Sequence, residues 1–150
     1  MTKKRFVIQI IITMIIILWG VIIGGNSLLL YLDIPSLIFV PLLPYFIASF
    51  IYPFREQNEI IKEIFTTQGT GDRKKLEQAI NFFTIQKKLV VSAIFVATFI
   101  GGIGMLEGLS DASALPRYLG VLSISIFYGV IYILVVLEPL IGISKKKLIG

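Results

Sequence analysis

The chain has 150 residues, of which 56% are hydrophobic and 15% charged, and its mean hydropathy is +0.90. Soluble domains carry about 25% charged residues, so this composition excludes an ordinary soluble domain, and the length allows one domain at most. Fourteen Lys and Arg against nine Asp and Glu leave a net charge of +5, and the absence of Cys and His excludes a disulfide framework, a thiol nucleophile, a zinc site of the usual ligands and a His general base. The same absences argue against an enzyme and against any metal or cofactor.

Uncharged apolar runs long enough to cross about 30 Å of hydrocarbon predict an all-α integral membrane protein with four transmembrane helices in a single domain. In chain order they cover about 6–24, 34–54, 89–106 and 118–142. The first begins at Phe6, behind Lys3, Lys4 and Arg5. A signal peptide is the alternative for it, but the run is long for one and Gly24-Gly25-Asn26 is a poor cleavage site. The second contains Pro35, Pro41, Pro44 and Pro53, which transmembrane helices tolerate where neighbours re-satisfy the freed carbonyls. Asp33 with Pro35 and Ser36 caps its start, and Asp33 has a second reading as an attractor of cations to an outer vestibule.

Residues 55–88 read as a helical hairpin. Ile60, Ile61, Ile64 and Phe65 share one face, so the second span is expected to run on into this segment. Gln68 to Asp72 break it, and Leu76, Ile80 and Phe83 mark an amphipathic helix that feeds into the third span. Thirteen of the fourteen cations fall at the two termini and in this hairpin, and Arg117 alone lies in the other connections, beside Asp33, Glu107 and Asp111. By the positive-inside rule both termini and the hairpin face the cytoplasm. The positive charge is therefore a topology signal, and no nucleic-acid partner is expected.

Three stretches resemble the MotA/TolQ/ExbB proton-channel family, and its MotA branch most closely. Residues 20–27 with Tyr31-Leu-Asp-Ile-Pro-Ser-Leu-Ile-Phe-Val40 are similar to the end of the family's first helix and the opening of its second. Ala97-Thr-Phe-Ile-Gly-Gly-Ile-Gly-Met-Leu106 resembles its third, and Ser125-Ile-Phe-Tyr-Gly129 with Pro139 and Lys145 its fourth. The resemblance implies a stator-like subunit of an ion-motive-force-driven complex in the bacterial inner membrane. It implies a homo-pentamer lining a proton or cation path around a single-span partner of the MotB, TolR or ExbD kind, which carries the acidic residue. The chain departs from the family pattern at Val91, at Leu42 and Leu43, and at Ser125-Ile126. Its hairpin is also far shorter than that of flagellar stators. A non-conducting membrane scaffold with the same fold is the alternative.

The candidate residues fall into two groups. Ala93, Ala97, Gly101 and Gly104 form a small-residue stripe on the third span, readable as a partner interface or as packing within the chain; Gly129 on the fourth belongs with them. Thr98 beside the stripe matches the family's pore-lining threonine, and its alternative is a hydroxyl bonded back to its own helix. On the fourth span Ser125, Tyr128, Tyr132 and Pro139 recur at helical spacing as a partly polar stripe, which either lines an ion path or packs. Glu138 is the one ionisable residue within a predicted span. Carboxylates there are costly and usually have a purpose. It is either an acceptor at the inner exit of an ion path or one half of an ion pair with a nearby Lys.

Overall fold

The structure is a computed structural model that describes residues 3–25, 27–65, 72–107, 113 and 115–149. Asp111 and the break at Gln68–Gly71 lie outside these residues. Among the described residues all regular structure is helical, with no strand. The helices are α1 (Lys3–Ile23), α2 (Ile34–Ser49), α3 (Phe54–Phe65), α4 (Arg73–Glu107), α5 (Leu115–Tyr132) and α6 (Glu138–Ile149). A short 3₁₀ turn, Leu28–Tyr31, precedes α2, and a π-helical segment, Ile133–Leu137, joins α5 to α6.

Three helical stretches are long and apolar enough to cross a membrane: Lys3–Ile23, Arg73–Leu106 and Tyr118–Ile149. The bent pair α2 and α3 makes a fourth only if counted as one span. Outward-facing apolar side chains cover these helices, with Ile16, Trp19, Phe99, Ile103 and Leu134 all more than 60% exposed. Such a surface is stable in hydrocarbon and not in water.

The second span differs from its sequence reading. It does not extend to residue 54 and on into the hairpin: α2 stops at Ser49, and α3 leaves at 108° to it. Proline is the physical reason. Helical backbone is disfavoured at Tyr52, which precedes Pro53, and the Pro53 carbonyl accepts the Gln57 N–H at 3.1 Å and starts α3. Pro41 and Pro44 stay inside α2. With 16 residues α2 is about 24 Å long, shorter than the hydrocarbon core.

Of the other two long elements, α4 runs unbroken from the hairpin through the third span as its spacing predicts, and the fourth exceeds its predicted end. The 35 residues of α4 form one rod of about 52 Å, begun by Asp72, whose carboxylate accepts the Lys74 N–H at 3.0 Å. The fourth span continues past 142 to Ile149. Its π segment lies where Pro139 deprives the helix of a donor. The Glu138 N–H bonds to the Ile133 carbonyl, five residues back, so the widened turn absorbs the defect.

Packing concentrates where the lysine-rich segments meet. Ile60 and Ile64 of α3, Leu76, Ala79, Phe82 and Phe83 of α4, and Leu140, Ile141 and Ile143 of α6 are buried. Phe6 reaches this core from α1 and packs at a tilt against Phe65, ring centroids 5.3 Å apart. It is the one buried residue of α1.

Candidate functional site

At the end of the bundle opposite the lysines, α2, α4 and α5 enclose an open cleft of about 510 Å³. Its walls include Asp33, Ser36, Ala97, Gly101, Gly104 and Ser125. Local chemistry sets α2 in place here. The Asp33 carboxylate accepts the Ser36 N–H at 3.0 Å as the N-cap, and Pro35 sits in the first turn, where its missing N–H costs nothing. The Ser36 hydroxyl then meets that of Ser125 at 2.9 Å, with both side chains buried. This pair joins α2 to α5 across 89 residues of sequence and gives the cleft a polar floor.

The small residues of α4 have two effects. Gly104 lies against the Tyr118 ring and Gly101 against Leu122, where an added Cβ would come within 3.0 Å of Tyr118 Cε1 and of Leu122 Cδ2 respectively. Ala93 is buried, while Ala97 is half-buried on the cleft wall. The stripe therefore packs α4 on α5 within the chain and widens the cleft. Thr98 is half-buried one position beyond Ala97 and lines neither this cleft nor the cavity described next.

Tyr128 and Tyr132 face elsewhere. Both line a second cavity of about 670 Å³ between α1 and the rest of the bundle, whose other walls, such as Met14, Leu18, Pro41 and Val135, are apolar. The Tyr128 hydroxyl donates to the Tyr31 carbonyl and accepts the Asp33 N–H at 3.4 Å. It thus fastens the turn before α2 to α5. The stripe Ser125, Tyr128 and Tyr132 is divided between two cavities and lines no single path within the chain.

Below the cleft floor, Gly129 is buried in close contact with Ile94 of α4, and Val40 of α2 lies 3.4 Å from the position its Cβ would take. A side chain there would overlap Ile94. At the lysine-rich end Glu138 forms an ion pair with Lys87 of α4, both side chains about two-fifths exposed. Its partner is a lysine 51 residues away in sequence and not one of the nearby C-terminal lysines. Pro139 follows it, half-buried at the end of the π segment.

Sequence reasoning did not single out Gln57 and Gln86, both essentially fully buried near the hairpin. Polar residues adjoining charged stretches read as solvated, and no local signal marks these two. Among the described residues no cluster of acidic side chains suits a metal ion.

The fold and its surface define the class, a helical membrane protein with three or four helices able to cross the bilayer. Beyond that class, no protein family, curated protein or solved structure matches the chain.

Proposed function

We propose that this chain is a MotA-like subunit of an ion-driven complex in the bacterial inner membrane, with four spans and both termini in the cytoplasm. Several copies, five by analogy with the family it resembles, surround a single-span partner and line a proton or cation path beside it. One observation carries the reading. The outer cleft offers hydroxyls and the rim carboxylate of Asp33, yet no acidic residue occurs in the chain between Asp33 and Phe54, between Leu89 and Leu106, or between Tyr118 and Leu137. Glu138 is held by Lys87. An ion-relaying carboxylate in mid-membrane must then come from another chain. The two long elements, α4 and the run from α5 to α6, and the capped Asp33-Ile-Pro-Ser36 turn support the same reading.

The test is the mass and symmetry of the complex extracted in mild detergent from its native membrane. The expected result is a ring of several copies, with a co-purifying single-span protein that bears an Asp or Glu in its span. A monomer or dimer without such a partner refutes the proposal. An assembled ring that carries no ion flux after reconstitution assigns the chain to the scaffold alternative.

A further inference from the structure

We propose that the bundle holds two hydrated regions, the cleft at Ser36 and Ser125 and an internal water site at Gln86, kept apart by a dry seal of Ile94 over Gly129. The pattern is written along one face of α4. Gln86, Val90, Ile94, Ala97 and Gly101 follow one another at steps of three or four residues, so they lie above one another on the helix. From the lysine-rich end the face reads polar, then apolar for two turns, then small around the cleft.

Gln86 marks the first region. Its side chain is 2% exposed, and neither its Oε1 nor its Nε2 has a hydrogen-bonding partner in the protein. Gln57 of α3 is fully buried too; its Nε2 donates to the Tyr52 carbonyl at 2.7 Å, and its Oε1 has no partner. Tyr52 meets Phe82 edge to face, ring centroids 5.3 Å apart, and Phe82 lies one turn before Gln86 on the same face of α4. The Gln57 amide is thus held at Tyr52, and Gln86 lies one turn along α4 from the ring that Tyr52 touches. Buried polar groups in native proteins are paired with protein or with internal water, and a buried water needs two to four polar partners. The Oε1 and Nε2 atoms of Gln86 provide two.

The seal lies between the two regions on every facing helix. Val40 is one turn from Ser36 on α2, Gly129 one turn from Ser125 on α5, and Ile94 one turn from Ala97 on α4. Val40 and Val90 have no exposed surface, and Pro44 is buried beneath Val40. Ile94 fits because Gly129 has no side chain. Ile94 is half-buried and packed against the apolar core, and a contact this close and apolar leaves no room for water between the two regions along this face. This inference rests on the membrane-spanning reading and not on the identity of any partner.

The chain contains no Cys, which suits it to single-cysteine labelling with a small membrane-impermeant thiol reagent in right-side-out and inside-out vesicles. Asn58→Cys, on the exposed face of α3, marks the lysine-rich side. We expect Ala97→Cys to react from the opposite side, and Val90→Cys and Ile94→Cys to react from neither. Reaction of Ile94→Cys from either side overturns the seal, and protection of Ala97→Cys overturns the hydrated cleft. Asn58→Cys reacting from outside overturns the orientation instead, so these failures are distinct. In proteoliposomes Ile94→Ala should raise passive ion leak roughly tenfold, the factor for a barrier lower by about 1.4 kcal/mol; unchanged leak from a variant with native melting refutes the seal. A high-resolution experimental map should show water on Gln86. Amides bonded directly to protein, with no water, remove the inner site.

Discussion

Replacing Gly129 by Ala tests the contact between α5 and Ile94 of α4. The new Cβ overlaps the end of the Ile94 side chain and reaches Val40 at 3.4 Å, so Ile94 must leave its position or α4 and α5 must separate. Overpacking of this kind costs about 1–3 kcal/mol, while Ala in place of Gly in a helix returns about 1 kcal/mol. Because the overlap involves two atoms of Ile94, the cost falls in the upper part of that range, about 2–3 kcal/mol, and the net loss is about 1–2 kcal/mol, or roughly 2–8 °C in melting temperature for a chain of this size. The assay is thermal unfolding in detergent of Gly129→Ala, Ile94→Val, and the double variant. Shortening Ile94 makes room for the added methyl, so the double variant should lose less than the sum of the two, with a coupling of about 0.5–1.5 kcal/mol. Additive losses, or a Gly129→Ala protein as stable as the parent, would show that Ile94 does not rest on Gly129.

Ser125→Ala removes one hydroxyl of a buried pair and strands the other, and should cost about 1–2 kcal/mol. The Ser36→Ala/Ser125→Ala double variant should cost no more than the single one, which thermal unfolding would check. Tyr128→Phe should release the turn before α2, seen as faster amide hydrogen exchange at Leu29, Leu32 and Asp33 with little change elsewhere. For the ion pair, Lys87→Glu and Glu138→Lys should each lower stability by about 1 kcal/mol, less for so exposed a pair than for a buried one; the combined swap should restore it. An ion flux through the assembled complex that is unchanged in Glu138→Gln would leave Glu138 as a structural partner of Lys87 and remove it from any relay.

Local chemistry made much of the fold legible. Uncharged runs, the Asp33 cap and the helical continuity from Arg73 into the third span follow from neighbours within a few residues. The end of α2 did not, because four prolines in one stretch look alike in sequence. Pro41 and Pro44 are tolerated by packing, whereas Pro53 breaks the helix by its effect on Tyr52, and only tertiary structure separates these outcomes. In the site, Ser125 stood out as a polar residue in an apolar helix. Its partner Ser36 was legible only as part of a cap, since a contact across 89 residues leaves no local trace. Glu138 likewise stood out, but Lys87 could not be told from Lys88. The burial of Gln86 was invisible for the same reason: its neighbours in sequence are charged, and its neighbours in space are not.

The unbroken course of α4 makes the two ends of this protein one mechanical part. A rod of about 52 Å exceeds the roughly 30 Å of a hydrocarbon core, with its first turns in the hairpin and its last beside the cleft. Pivoting about its middle by about 5° carries each tip through roughly 2 Å in opposite directions at that length. With no break in the backbone between them, the hairpin end and the cleft end of α4 can move only as one body.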